Sequence, residues 1–469
     1  MNNNAWLIPQ NSCSMEQFFV TLGTFQKLNG VQRDKNIQQV LMQELKSRGL
    51  YNPYIIKDHF DISSANHKID EPRFYGAIYE TANKKIHVST YGELLLKYEN
   101  DVLKRNKVFI GMIYNIQFDN PYKKVKGFNI YPFRLLFNLL REKRLNYYLT
   151  NIEVSEIVYY VKDINASKYE KIIDKILEFR KNVKITDIPQ FVKNYVSCNY
   201  LFNMLVQLEI IIKEKKETER FKVHSSKREK PTIITPVVYK LNENYYEFVD
   251  EYNKEKSLYA DIIFPQGLRS DWIREIYNSV SPILLTAIGE EDSMYTQYLQ
   301  IPKLMLESSK DPNKWSEFEV YITKSFNLFV DINAEKIGGP GQPDCLCHFL
   351  EDNTIFCADG KSTHKKLSSI NDGRLKQHRN LYNAKYTIVV TPGYVPSAVL
   401  DIKGTNTCII TSYCFADLIT KYIFKFYKER KDCSYKIFND LVLNNLGTDL
   451  SEKIYKIIDD TLGISKNSV

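Results

Sequence analysis

Residues 338–363 read GGPGQPDCLCHFLEDNTIFCADGKST. The glycine-rich start predicts a turn that delivers Asp344 onto a short run alternating like a strand. A polar turn follows, and a second strand ends in Asp359-Gly360-Lys361. Two carboxylates at the ends of adjacent strands repel when both are ionised, unless a cation sits between them. Mg²⁺ suits such a place, because it prefers hard oxygen ligands with room left for water and phosphate. Lys361 lies two residues beyond Asp359 and therefore returns to the same face of its strand. There it can hold or deprotonate an attacking water, or neutralise charge building up on a phosphate. Together these groups imply metal-dependent phosphodiester hydrolysis.

The spacing of Pro343-Asp344, fourteen intervening residues and Asp359-Gly360-Lys361 is that of the PD-(D/E)xK nuclease signature. The signature is short, and its context strengthens it. Both carboxylates fall on predicted strands, and a predicted helix carrying Glu319 precedes them. The blander reading makes Asp344 an ordinary turn residue and Asp359 a strand-end acid in a surface pair with Lys361.

The remaining chain sets the frame. At 469 residues it is long enough for roughly two to four domains with their own cores. With 43% hydrophobic and 26% charged residues, it has the composition of a soluble globular protein. No apolar run approaches the ~20 residues of a membrane span. The N-terminal MNNNAWLIPQNS lacks the basic start and apolar stretch of a signal peptide, so the expected location is the cytoplasm. Eight cysteines without a signal are expected to be reduced. Cys345 and Cys347, with Cys357 ten residues on, could ligate zinc, but structural sites favour two to four residues between paired ligands, and alternating positions in a buried strand fit better. A net charge of +8 suggests a polyanionic partner, although the basic residues are interspersed with acids, as in KEKKETERFKVHSSKREK at 213–230.

Apolar spacing predicts two helices over 16–48, a hairpin from FYGAIYE and KKIHVST, and a return to helix through YGELLLKYENDVLKRNKVFIGMIYNIQF. A helical block follows from about 130 to 212. In it Pro132 suits a first helical turn, and Thr150 or Asn151 suits a cap. IITPVVYKL and YYEFVDEY then read as strands. Three helices ending in a hairpin is the order of a winged-helix fold. Connecting helices occupy 251–310. From Trp315 the pattern becomes helix, three strands, then strand and helix, which predicts an α/β layer architecture.

The chain resembles the AlwI-like group of type IIS restriction and nicking endonucleases. The likeness is carried by AWLIPQNSCSMEQF, LGTFQKLNG, QQVLMQELKSRG, FYGAIYE, FNIYPFRLLFNLL, LTNIEVSEIVYYV, FEVYITKSFNLF, GQPD and DGKST. It implies a multidomain protein, with a mainly helical DNA-recognition half containing a winged-helix-like subdomain. A C-terminal α/β PD-(D/E)xK nuclease domain, a mixed sheet flanked by helices, completes it. The expected boundaries are 1–125 and 126–250 for recognition, 251–289 for a helical linker, and 290–469 for cleavage.

By the same resemblance, Asp344, Asp359 and Glu319 would be metal ligands and Lys361 the motif lysine. Gln342 would orient the Asp344 turn. Asp372 would match a further acid downstream in the family; His364 and His378 could contact phosphate, but both are rather expected as surface histidines. The implied partner is double-stranded DNA, nicked by the monomer or cut on both strands with a second copy or second subunit, with Mg²⁺ as cofactor. Two other functions fit the same residues: a structure-specific DNA repair nuclease, and a non-catalytic DNA-binding regulator with a nuclease-like fold.

Overall fold

The structure, a computed structural model, describes residues 5–6, 8, 13–28, 30–52, 55–56, 59–60, 62, 64–81, 84–122, 127–185, 187–216, 220–223, 232–263, 269–278, 280–290, 293–423 and 434–459. The chain divides into two compact units. One comprises residues 1–263 and 276–289, the other 264–275 and 290–469. Among the described residues no helix is long and apolar enough to cross a membrane.

The first unit opens with α1 (Met15–Lys27) and α2 (Lys35–Ser47). Ser14 and Gln17 form a reciprocal capping box at the start of α1, and Asp34 caps α2. Helix α3 (Ala65–Tyr75) stops at Gly76, whose φ of 84° only glycine adopts cheaply. Phe74 and Tyr75 therefore complete a helix, and the expected hairpin shrinks to β1 (Ile78–Glu80) against β2 (Lys85–Val88). Helices α4 (Thr90–Lys97) and α5 (Val102–Ile113) follow.

A second layer begins with α6 (Pro132–Leu140), its proline in the first turn. Then come β3 (Leu149–Thr150) and α7 (Asn151–Glu156), the latter started by a Thr150–Glu153 capping box. Helices α8 (Ala166–Lys181) and α9 (Ile188–Gln207) lead into β4 (Ile211–Lys215). A short hairpin of β5 (Phe221–Val223) and β6 (Thr232–Ile234) precedes β7 (Val237–Leu241). Strand β7 pairs antiparallel with both β3 and β4, so the sheet order is β3-β7-β4. The charged stretch 213–230 is not a single loop: Lys213–Lys215 end β4 and Phe221–Val223 form β5, while residues 217–219 and 224–230 lie outside the described residues. YYEFVDEY is not a strand. It forms most of α10 (Tyr246–Glu255), because Phe248, Val249 and Tyr252 recur at helical spacing and are all buried.

The second unit is built on a five-stranded mixed sheet. Helices α11 (Ser293–Ser309) and α12 (Trp315–Phe326) precede β8 (Ile332–Lys336), β9 (Cys345–Phe349) and β10 (Thr354–Gly360). Helix α13 (Asp372–Tyr382) crosses over to β11 (Tyr386–Thr391), and α14 (Pro396–Asp401) to β12 (Thr407–Thr411). Helices α15 (Ser412–Tyr422), α16 (Lys436–Leu443) and α17 (Ser451–Ile457) close the unit. Strands β8, β9 and β10 are antiparallel neighbours, whereas β10, β11 and β12 run parallel.

Both sheet faces are covered, which is why YTIVVT and TCIIT are buried at every position. Leu375, Ala398 and Ile402 pack on Val389 and Ile409 on one face. Phe326 and Tyr435 pack on Phe356, which lies on the opposite face by alternation, and Phe415 packs on Phe326. Cys345 and Cys347 are fully buried in β9, as expected of a strand, with their sulfurs 3.5 Å apart.

Candidate active site

Three glycines build the approach to the site. Gly338, Gly339 and Gly341 have φ of 64°, 100° and 75°, a region that favours glycine. Within this turn Gly338 N donates to Pro343 O at 3.0 Å, and Ile337 N to Asp344 O at 3.1 Å. The β8–β9 pairing thus continues up to Asp344. Because Cys345 faces Ala358 across β9 and β10, Asp344 sits opposite Asp359. The Gly360 amide donates to Asp344 Oδ2 at 2.8 Å.

Beyond β10 the chain stays paired with β11, Lys361 N donating to Val390 O at 2.9 Å. The Lys361 ammonium, half exposed, pairs with Asp359 Oδ2, while the Asp359 side chain is buried. Asp359 is thus not the surface acid of the blander reading. Although Lys361 and Lys336 supply charge, Asp359 Oδ2 and Glu319 Oε2 are buried without an aligned hydrogen bond. Burial, and then the negative charge of Asp359, push the Asp344 carboxyl up to about 7, against the lowering effect of Lys361 and the Gly360 amide. A carboxyl raised by burial and by a second carboxylate beside it marks a candidate functional site.

Glu319 stands apart from this pair. A methyl group placed on Gly360 would lie 2.8 Å from Ile322 Cδ1 and 3.1 Å from Phe318 Cδ1, so α12 presses on the Gly360 face of β10. Asp359 and Lys361 point to the other face by alternation. Glu319 instead approaches the glycine turn, its Oε2 3.0 Å from Lys336 Nζ. Among the described residues, no group of three His, Cys, Asp or Glu side chains forms a ready-made metal cage. The structure therefore brings together Asp344, Asp359 and Lys361, with Glu319 as a more distant negative charge on Asp344.

Gln342 is held by α13, Tyr382 Oη donating to its Oε1 at 2.5 Å. Asp372 is committed elsewhere, accepting from Thr407 Oγ1 at 2.6 Å and Arg379 Nη2 at 3.3 Å. His364 is exposed, as expected. His378 is not at the surface. It is 1% exposed, because α13 turns it inward beside Leu375 and Arg379.

The family model for the N-terminal domain of type II restriction endonuclease HgaI matches residues 1–255. Type II restriction enzyme HgaI of Avibacterium volantium is 32% identical over 97% of this chain and 96% of its own length. The chain belongs to the HgaI family of type II restriction endonucleases. The expected class, a type II restriction enzyme, is thus the one matched, and within that class the match names HgaI.

Structural likenesses to this HgaI family member are loose. FokI restriction endonuclease aligns over 94% of this chain and 99% of its own, at 9% identity and a TM-score of 0.29. The BpuJ1 endonuclease binding domain, in a complex with modified DNA, aligns over 58% and 98%, at 14% and 0.36.

Two features of the family member's site were missed in its sequence. Helix α13 has a weak apolar stripe, Leu375 and His378 being flanked by Arg, Lys, Gln and Asn, and no periodic signal marks it. The tight packing of Gly360 also left no pattern.

Proposed function

We propose that the chain is a Mg²⁺-dependent type IIS endonuclease that hydrolyses phosphodiester bonds of double-stranded DNA outside a short asymmetric sequence. The observation that carries this reading is the placement of Asp344 opposite Asp359, with Lys361 beside them at the end of the same strand. Those residues, at those spacings, support a PD-(D/E)xK centre.

Asp344 and Asp359 would hold the metal. Two carboxylates that leave the remaining coordination positions to water and phosphate would suit Mg²⁺ better than a closed protein cage does. Bound there, the ion would polarise a phosphoryl oxygen and acidify a coordinated water. Asp344 must first shed its proton, which its elevated value makes dependent on neutral or higher pH. Lys361, released from Asp359, neutralises charge on the attacked phosphate. Glu319 adds negative charge from across the sheet and is the third ligand only if the glycine turn yields.

For the recognition half, the helix–strand–helix order and the β3-β7-β4 sheet support a winged-helix reading. Helix α9 would then be the one seated in the major groove, with Lys193, Val196 and Asn199 along its exposed side. The two compact units support a division in which residues 1–250 read DNA and 290–469 cut it. The resemblance of the N-terminal blocks to AlwI-like enzymes favours cutting at a distance from the site. One centre per chain cuts one strand, so double-strand cleavage takes a second copy.

The test is cleavage of an unmethylated plasmid with Mg²⁺, followed by run-off sequencing of the ends. Ends at a constant offset from one asymmetric sequence support the proposal. Cutting that follows DNA junctions rather than sequence points to a repair nuclease, and no cutting points to a regulator.

A further inference from the structure

His378 is fully buried, yet neither ring nitrogen has a hydrogen-bond partner. That is a costly arrangement. Leaving a buried polar group unsatisfied is destabilising, a penalty that an apolar side chain of similar size would avoid. The position is also rigid. The neighbouring Arg379 ties α13 to the sheet through Thr387 Oγ1 at 3.0 Å and Thr407 Oγ1 at 2.6 Å. One turn beyond His378, Tyr382 holds Gln342 in the turn that carries Asp344.

The face that His378 meets is the catalytic one. Asp359 pairs in register with Val389, and Val389 packs against Leu375 of α13. The charges of Asp359 and Lys361 both act on the imidazole, together with those of Arg374 and Arg379. A neutral imidazole offers one donor and one acceptor. Of its charged neighbours, Asp359 can accept and Lys361 can donate.

We infer that His378 is a positioning residue of the cleavage centre, the buried partner that receives Asp359 and Lys361 when DNA draws them off each other. In the structure those two side chains pair together. Engaging a phosphate separates them and leaves each without a partner on its inner side. The imidazole then donates to the Asp359 carboxylate and accepts from the Lys361 ammonium, fixing both in orientation. This inference rests on the nuclease reading above.

The test uses the full-length chain with H378M, which is apolar and fills irregular space, and H378Q, which keeps a donor and an acceptor. Three quantities are measured: melting temperature, duplex binding without divalent ions, and the single-turnover cleavage rate at saturating Mg²⁺. H378M is expected to melt at or above the wild type, because an unsatisfied group is removed. It should bind duplex within about twofold and cleave at least about tenfold more slowly, with H378Q recovering most of the rate. Should H378M fail to fold, H378F serves as the apolar variant. Wild-type cleavage by the apolar variant overturns the inference. So does a joint fall in melting temperature and rate that H378Q does not relieve, since that marks a merely structural side chain. Asp359→Ala serves as a control: wild-type cleavage by that variant indicts the nuclease centre itself rather than the role of His378.

Discussion

The amide of Gly360 donates a 2.8 Å hydrogen bond to Oδ2 of Asp344, joining the ends of the two strands that carry the carboxylates. A residue without a side chain is needed there, because Ile322 and Phe318 of α12 occupy the space a Cβ would take. Gly360→Ala is expected to cost about 1–3 kcal/mol through overpacking and to reduce cleavage more than duplex binding. Adding Ile322→Val, which deletes the methyl nearest the new Cβ, should restore much of both. Denaturant melts and single-turnover rates of the single and double variants check this; strictly additive losses would contradict it.

Asp359→Ala and Asp344→Asn should each lower cleavage by several orders of magnitude while leaving duplex affinity nearly unchanged. Both remove a carboxylate proposed to hold the ion, and the asparagine keeps its shape. Glu319→Gln should lose far less, since that side chain pairs with Lys336 rather than joining the aspartates. A Glu319→Gln variant as inactive as Asp359→Ala would promote Glu319 to a full ligand.

Asp344 sits at about 7, so proton and cation compete for it near neutrality. At limiting Mg²⁺ the cleavage rate should rise with pH through about 7, and more Mg²⁺ should move the midpoint down. Lys361 lowers the Asp344 value, so Lys361→Ala should move the midpoint up and also reduce the plateau. A pH profile indifferent to Mg²⁺ concentration would refute the competition.

Glu71 offers a pH test away from the site. Burial pushes its carboxyl from 4.5 up to about 7, although the Cys13 amide donates to it at 2.6 Å and Lys68 lies nearby. The folded state therefore holds this proton more tightly than the unfolded chain does. Its contribution to stability is fully present below about pH 4.5 and declines as pH rises to about 7, by at most roughly 3.5 kcal/mol at ~1.4 kcal/mol per pKa unit. Glu71→Gln keeps an acceptor for Cys13 and should flatten that decline. Calorimetry of both proteins across this range decides it; identical slopes would discount Glu71.

A fragment of residues 1–289 should bind its cognate duplex with sequence preference, weaken steeply with salt, and cut nothing. A fragment of residues 290–469 should show no preference. Gel shifts with cognate and scrambled duplexes at two salt concentrations test this, and preference confined to the second fragment would reverse the division of labour.

Local chemistry was legible in the sequence wherever it is written in short spacings. The Asp344 turn, the alternating strands on either side of residues 350–353 and the two-residue step from Asp359 to Lys361 follow from backbone geometry alone. The cap at Thr150 was legible from its residue type just ahead of an apolar stripe, whereas those at Ser14 and Asp34 came from the structure. YYEFVDEY misled because aromatic content favours a strand in isolation, while burial of Phe248, Val249 and Tyr252 on one side selects a helix.

What tertiary structure alone decided is which of these pieces share a face. Only the pairing register sets Asp344 opposite Asp359, and only the packing of α12 against Gly360 puts Glu319 across the sheet from them. Helix α13 and the burial of His378 also had to come from the fold. Parallel pairing of β10 with β11 demands a crossover there, and no periodicity in a largely polar segment announces which side chain that crossover will bury.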